Sequence, residues 1–274
     1  MDKKQFERLK KIRHVALDMD GTIYCGNTLF PFTKKSLDLF SKAGIGYTYL
    51  TNNSSRSADA YLEKLKKLGL SATIDNLYTS TMATIEYLRN NYSAFKKIFV
   101  FGTESLRKEF EDANFTVIRE NDSIEPELVI VGFDTTLTYE RMCKAAWWIK
   151  QGKPFIATHP DWVCPTDQPT VLVDCGSICS ALTAATGIKP KAVLGKPDAC
   201  MLKGILKKHN LKPDELAMVG DRIYTDMAMA AKSGTLGVLV LSGEAALKDT
   251  ENCEIEIPVI VKNILELAEI LSNK

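Results

Sequence analysis

Short apolar segments of β type alternate with segments of helical periodicity along nearly the whole 274-residue chain. Residues 15–17 form the first apolar segment, and residues 216–219 and 238–241 form similar segments near the other end. The helical segments space their apolar residues by three or four and often stop at a glycine, as 57–68 does before Gly69. This alternation predicts an α/β fold with a doubly wound parallel sheet and helices on both faces.

The middle of the chain has a strand and helix alternation of its own. It runs over about residues 81–180, and turn-type residues lie near both of its ends. We therefore expect two domains: a core formed by residues 1–80 and 181–274, and an inserted α/β domain formed by residues 81–180.

Two carboxylates follow the first apolar segment. Asp18 and Asp20 are two residues apart, so on an extended strand their side chains would point to the same face. Ligands of open α/β sheets bind at the carboxyl ends of strands, and Gly21 lets the chain turn there. Like charges this close repel, so they persist mainly where a cation or a proton-transfer role compensates. A solvated Asp-Gly turn is the alternative interpretation.

Two further polar segments also follow β-type segments. Thr51, with the backbone N–H groups of Asn52 and Asn53, has the composition of an anion-binding turn, or of an N-cap and turn cluster before the next helix. Lys196 follows the apolar residues 192–194 and is a candidate phosphate partner, although most lysines are solvated surface groups.

A fourth polar segment follows residues 216–219. Asp221 lies at the end of the expected strand, and Asp226 begins the next helix. An acidic residue at a helix start is often no more than a partner of the helix dipole. In a parallel sheet all four segments would share the carboxyl edge. Carboxylates there suit Mg²⁺, which binds few of them together with phosphate oxygens. With Thr51 and Lys196 to neutralise a phosphoryl group, the set predicts phosphoryl transfer.

The four segments resemble, in order, the motifs of the haloacid dehalogenase (HAD) superfamily of phosphatases: Asp18-Met19-Asp20-Gly21-Thr22, Thr51, Lys196, and Gly220-Asp221 with Asp226. The forms Thr51-Asn52-Asn53-Ser54 and Gly220-Asp221-Arg222 with Thr225-Asp226 are similar to the NagD-like branch, which includes p-nitrophenyl, phosphoglycolate and pyridoxal phosphate phosphatases. The resemblance covers nearly the whole chain. It implies a Rossmann-like core with a large α/β cap inserted between the second and third motifs, which agrees with the insertion at 81–180.

The resemblance implies Mg²⁺-dependent hydrolysis of a small-molecule phosphomonoester. Asp18 would be the nucleophile that forms an aspartyl-phosphate, and Asp20 would be the general acid and base. Mg²⁺ would bind the Asp18 carboxylate, the Asp20 main-chain carbonyl and Asp221.

The resemblance also assigns the phosphate-binding groups. Thr51, Asn52 and Lys196 would hold the phosphoryl group, and Asn53 would add backbone contacts. Asp226 would position the metal ligands without binding the metal itself, or it would orient Lys196. Members of the branch often pair through their caps, so a homodimer formed through the cap is expected.

Two segments of the expected cap depart from the branch pattern. Thr158-His159-Pro160-Asp161 stands where the branch often has Thr-Asn-Pro-Asp, and Val173-Asp174-Cys175-Gly176-Ser177 stands where it often has a Pro-Gly turn. His159 is a candidate substrate contact or a structural residue. Asp174 near a phosphate site would repel a second anion and favour a neutral or cationic leaving group.

Composition argues against several classes of function. The formal net charge of +1 provides no field that would attract nucleic acid or an anionic membrane. The longest apolar runs have the length of strands, far short of a membrane span. The seven cysteines form no CxxC pair, which predicts reduced thiols in a cytoplasmic protein. The expected partner is a small phosphate ester, and the rival function is a non-catalytic phosphometabolite-binding protein on the same fold.

Overall fold

The computed structural model describes residues 3–166, 169–251 and 253–273. Ten α-helices lie within these residues: α1 (Lys3–Lys10), α2 (Thr33–Lys42), α3 (Ala58–Lys67), α4 (Ser80–Asn91), α5 (Glu104–Asp112), α6 (Tyr139–Lys150), α7 (Cys175–Thr186), α8 (Cys200–His209), α9 (Ala228–Ser233) and α10 (Ile264–Ser272). None of these helices is long and apolar enough to cross a membrane.

Fifteen strands lie within the same described residues. They are β1 (His14–Asp18), β2 (Tyr24–Cys25), β3 (Thr28–Leu29), β4 (Gly46–Thr51), β5 (Leu77–Thr79), β6 (Lys97–Phe101), β7 (Thr116–Ile118), β8 (Leu128–Val131), β9 (Phe155–Ala157), β10 (Val163–Cys164), β11 (Leu172–Val173), β12 (Ala192–Val193), β13 (Leu216–Gly220), β14 (Leu236–Val240) and β15 (Val259–Val261).

The chain forms two compact units. The core unit contains the described residues of Met1–Thr51, Leu62–Tyr78 and Lys196–Lys274, and the insert unit contains those of Asn52–Tyr61 and Thr79–Gly195. The predicted inserted domain, 81–180, lies inside the insert unit, which also takes in 52–61, 79–80 and 181–195. That the insert unit acts as a cap stays a prediction.

The core unit is organised by a six-stranded sheet in the order β15-β14-β13-β1-β4-β5. The strands from β15 to β4 all pair in parallel. The central strands β1, β13 and β14 are buried along their whole length, as parallel strands covered on both faces should be. Helices α2 and α10 pack together, as do α8 and α9. Crossover connections between parallel strands are right-handed. The connections on one side of β1 and those on the other side therefore cover opposite faces of the sheet.

The insert unit has its own five-stranded parallel sheet, in the order β12-β9-β8-β6-β7. Helices α6 and α7 pack on each other and on this sheet. Trp148 joins the buried core beneath α6, whereas the neighbouring Trp147 is 55% exposed. Adjacent residues of a helix point about 100° apart, so only one of the two rings can face the sheet.

The spacing of apolar residues in the sequence predicts a helix over 139–150 and a strand over 128–131, and α6 and β8 have these bounds. The spacing also predicts a helix over 225–232, but the structure has a π-helical turn, Ile223–Met227, followed by α9. A further helix is predicted over 260–271, where the structure has β15 followed by α10. A three-residue strand such as β15 carries too little alternation to be recognised, and it forms because the edge of β14 offers a ladder.

Candidate active site

The carboxyl edge of the core sheet brings three of the predicted segments together. Asp18 is the last residue of β1, and Thr51 is the last residue of β4. Asp18 pairs with Leu50 across these two strands, so Thr51 lies one residue beyond it. Asp221 follows directly after β13, which flanks β1 on the other side. Strands β4 and β5 lie on one side of β1, and β13, β14 and β15 lie on the other. Asp18 therefore lies at the topological switch point, where α/β folds bind ligands.

Lys196 follows β12, which belongs to the sheet of the insert unit, so the prediction that all four segments follow strands of one sheet is wrong for this residue. Its side chain nevertheless connects two of the carboxylates. Its Nζ forms an ion pair with Asp18 Oδ1 and lies 2.9 Å from Asp226 Oδ1. The lysine is 6% exposed, so it is buried as an ammonium between two acids. Burial by itself would lower the pKa of Lys196, but Asp18 and Asp226 together raise it. The lysine therefore carries a permanent positive charge beside the Asp18 carboxylate.

The same edge holds a cluster of three buried carboxylates. Asp18, Asp221 and Asp226 each contribute an oxygen, and these oxygens lie within 4.8 Å of one another. Burial and the charge of Asp18 raise the pKa of Asp221, and burial raises that of Asp226 although Lys196 opposes it. Asp221 Oδ1 is buried with no hydrogen-bond partner among the described residues. Clustered carboxylates with an unpaired oxygen are the donor set that a hard divalent cation requires.

A fifth segment, 242–244, holds Asp221 in place and lies outside the four segments predicted from the sequence. The Glu244 backbone N–H donates to Asp221 Oδ2 at 2.7 Å, and the Ser242 hydroxyl donates to the Gly21 carbonyl at 2.8 Å. A Cβ on Gly243 would lie 2.0 Å from Asp221 Oδ2, so only glycine leaves room for the carboxylate. The available signal was the Ser-Gly pair directly after the apolar residues 238–241.

Asp20 lies outside the three-carboxylate cluster. Strand β1 ends at Asp18, so the strand geometry that would place both side chains on one face does not extend to Asp20. Asp18 is buried, whereas Asp20 is exposed. Burial of part of its carboxylate raises the pKa of Asp20, with Lys64 opposing and Asp18 adding to the rise. A raised pKa suits a group that donates a proton to a leaving alcohol.

Asn52 and Asn53 belong to the insert unit. Asn52 Nδ2 donates to Asp161 Oδ2 at 3.1 Å. Asn53 Oδ1 accepts from the backbone N–H and the hydroxyl of Ser55, at 2.9 and 2.7 Å, which is the local turn considered as the alternative. Their phosphate-binding roles stay a prediction.

His159 and Asp174 are buried partners. They are 0% and 2% exposed, and His159 Nε2 lies 2.8 Å from Asp174 Oδ1. Asp174 is also the N-cap of α7, since its carboxylate accepts from the Cys175 backbone N–H. A direct action of Asp174 on a second anion, expected from the sequence, therefore has no support from the geometry. The seven cysteines form no disulfide in the structure.

Comparison with known proteins agrees with the fold. Residues 15–116 match a family model described as haloacid dehalogenase-like hydrolase, and residues 193–267 match a HAD-hydrolase-like model. A 4-nitrophenylphosphatase from Thermotoga maritima is 38% identical, with a TM-score of 0.89 over 96% of this chain and 98% of that one. NagD from E. coli K-12 is 29% identical, with a TM-score of 0.83 over 93% and 98% of the two chains.

Among curated relatives, the acid sugar phosphatase of Staphylococcus aureus strain USA300 is 29% identical over 89% of this chain and 92% of its own length. The chain therefore belongs to the haloacid dehalogenase-like hydrolases. Within that family it is a phosphatase of the NagD-like branch.

Proposed function

We propose that this phosphatase hydrolyses small phosphomonoesters through an aspartyl-phosphate on Asp18, with Mg²⁺ as its cofactor. The observation that carries the proposal is the buried arrangement of Lys196 between Asp18 and Asp226, beside the unpaired oxygen of Asp221. Among the described residues, Lys196 is the cation that forms ion pairs with this cluster, so the carboxylates outnumber it, and a divalent ion and a phosphate dianion can occupy the site together.

The residues at the sheet edge fit a magnesium ion. The Asp18 and Asp221 carboxylates and the Asp20 main-chain carbonyl would hold it. When bound, Mg²⁺ supplies positive charge that offsets the repulsion between carboxylates and phosphoryl oxygens. Asp226 would keep Lys196 directed toward Asp18, because it is fully buried and forms the second ion pair of that lysine.

In the first step, an Asp18 carboxylate oxygen attacks phosphorus, and the bond from phosphorus to the ester oxygen breaks. Asp20 gives its proton to the departing alkoxide, which leaves as the alcohol. Thr51 and Lys196 bind the phosphoryl oxygens during the transfer, and we propose that Asn52 and the Asn53 backbone assist. In the second step, Asp20 takes a proton from water, whose oxygen attacks phosphorus and releases phosphate and the free Asp18 carboxylate.

The names of the relatives indicate which substrates to try first. The Thermotoga protein is a 4-nitrophenylphosphatase and the Staphylococcus protein is an acid sugar phosphatase, so we propose aryl phosphates and sugar phosphates as the first panel. The NagD-like resemblance also predicts a homodimer formed through the insert units, which sedimentation velocity tests. A cytoplasmic location is likewise proposed from the free thiols.

Turnover of 4-nitrophenyl phosphate by the wild-type protein and by Asp18→Asn, with and without Mg²⁺, tests the mechanism. We expect Mg²⁺-dependent turnover by the wild type, and at least a 10³-fold loss in the variant because the nucleophile is removed. Rapid acid quenching should trap phosphate on the wild-type protein. Unchanged turnover after Mg²⁺ removal, or by Asp18→Asn, contradicts the mechanism, and phosphate binding without any turnover would favour the non-catalytic binding protein.

A further inference from the structure

A buried hydrogen-bonded network in the insert unit has no role in the mechanism above. Its centre is His159, whose Nδ1 lies 2.9 Å from Thr158 Oγ1 and whose Nε2 lies 2.8 Å from Asp174 Oδ1. Both ring nitrogens are occupied, and the ring is fully buried. A buried ion pair with one partner removed leaves an uncompensated charge, so each member depends on the other.

The network reaches Asn52, the chain neighbour of Thr51. Asn52 Nδ2 donates to Asp161 Oδ2 at 3.1 Å, and the Asn52 carbonyl accepts from Ser80 Oγ at 2.5 Å. The Asp161 carbonyl in turn accepts from the Gly176 backbone N–H at 2.8 Å. The loop 158–161 is thus attached to Asn52 on one side and to the first turn of α7, next to Asp174, on the other.

The same loop packs against Gly195, the chain neighbour of Lys196. A Cβ on Gly195 would lie 2.7 Å from Asn52 Oδ1, 2.8 Å from His159 Cβ and 2.9 Å from the Thr158 carbonyl oxygen. The residue also has a φ of +70°, which favours glycine. Asn52 and His159 therefore both pack closely against Gly195.

The charged groups that face His159 favour its protonated form. Burial by itself would lower the pKa of His159, but the Cys175 sulfur, Asp174 and Asp161 outweigh it and raise the pKa. The raised pKa favours an imidazolium at His159 beside the Asp174 side chain.

We propose that His159 and Asp174 form a positioning pair that fixes Asn52 and Gly195, the chain neighbours of the phosphate-binding residues Thr51 and Lys196. The inference rests on the proposed function, because it assigns the pair to phosphate affinity. It also accounts for Thr158-His159-Pro160-Asp161, in which this chain departs from the Thr-Asn-Pro-Asp pattern: the histidine supplies the cationic partner that the buried Asp174 needs.

The test compares His159→Gln and Asp174→Asn with Asp134→Asn as the matched control. Asp134 is 2% exposed and lies 2.6 Å from Arg141 Nη1, so the control breaks another buried ion pair of the same unit. Asp134 accepts hydrogen bonds from Arg141 and Thr136, and neither residue is part of the His159 network. All three variants should lose thermal stability.

The deciding measurement is the dissociation constant for inorganic phosphate, measured by calorimetry below the unfolding temperature of every variant. We expect about a tenfold or greater weakening in His159→Gln and Asp174→Asn, and less than about a twofold change in Asp134→Asn. Wild-type affinity in the two network variants, or equal weakening in the control, overturns the proposal. If Asp174→Asn does not fold, His159→Gln decides.

The outcome is separable from that of the proposed function. Wild-type protein that binds phosphate but does not turn over 4-nitrophenyl phosphate contradicts the phosphatase mechanism, whereas the comparison of affinities between variants keeps its meaning. Turnover that passes its own test while His159→Gln binds phosphate normally contradicts only the positioning pair.

Discussion

At the scale of single residues, the site depends on how closely backbone and carboxylate approach each other. Asp221 is held by the Glu244 N–H at 2.7 Å, and Gly243 lies against the same carboxylate. A metal ligand is useful only if its oxygen has a fixed direction, and the groups that orient a ligand affect metal affinity strongly. Segment 242–244 therefore matters to the site although it contains none of the predicted residues.

Gly243→Ala should weaken Mg²⁺ binding by about 10- to 100-fold, because its Cβ would displace the Asp221 carboxylate. Titration calorimetry with Mg²⁺ alone measures this without any need for turnover. Gly44→Ala is the control: Gly44 has a positive φ with nothing within 4 Å of an added Cβ, so it should lose stability and keep its Mg²⁺ affinity. Equal Mg²⁺ affinity in Gly243→Ala and wild type would show that Asp221 is not held in this way.

At the scale of secondary structure elements, a histidine pair joins β1, β4 and α8 within the core unit. His14 and His209 stack with ring centroids 4.2 Å apart, and Thr48 Oγ1 lies 2.8 Å from His14 Nε2 and 3.3 Å from His209 Nε2. Burial, His209 and Lys208 lower the pKa of His14 to about 3. Burial and Lys208 also lower the pKa of His209, with Asp75 opposing. These elements are therefore packed around neutral imidazoles.

Acidification should destabilise this contact. The pKa of His14 is lower in the folded protein than its unfolded value of about 6.5, so its contribution to stability is present above pH 6.5 and is lost as the pH falls toward 3. When unfolding takes up one proton, the free energy of unfolding falls by about 1.4 kcal/mol for each unit of decreasing pH. Between pH 6.5 and 5 this amounts to about 2 kcal/mol.

Urea unfolding of the wild type and of His14→Gln at pH 7.5 and pH 5 measures the effect. The variant should lose less stability than the wild type on acidification, because glutamine takes up no proton. Parallel losses in the two proteins would mean that other groups account for the acid sensitivity.

At the scale of the whole molecule, the acidic site should link metal binding to the stability of the fold. Without a divalent cation, three carboxylates lie buried together, and burial and the charges of Asp18 and Asp226 raise the pKa of Asp221. A ligand that binds only the folded state adds RT ln(1 + [L]/Kd), about 2.7 kcal/mol at 100 times Kd. The unfolding temperature and the affinity for Mg²⁺ therefore both depend on these three carboxylates.

Mg²⁺ should raise the unfolding temperature, and excess EDTA should return it to the metal-free value. Differential scanning calorimetry checks this, with Asp221→Asn as the comparison. The variant should unfold at a higher temperature than the wild type without metal, because one of three repelling charges is gone, and it should respond little to Mg²⁺. A full Mg²⁺ response in Asp221→Asn would remove this residue from the metal site.

The α/β class, and the strand ends at which Asp18, Thr51 and Asp221 lie, could be predicted from the sequence alone. This is possible because local periodicity identifies strands and helices, and because parallel sheets bind ligands at one edge. Its limits appear at Asp20, where the strand had already ended, and at the π-helical turn Ile223–Met227, whose extra residue leaves no periodic signature.

Which side chains form pairs depends on how the whole chain packs. Lys196 pairs with Asp18, which lies 178 residues away along the chain, and His159 is buried against Asp174, which lies 15 residues away. Such partners are selected by packing and by the cost of removing charge from water, and that cost depends on every element that closes around a group. The spacing of residues along the chain therefore does not predict which buried charges will pair.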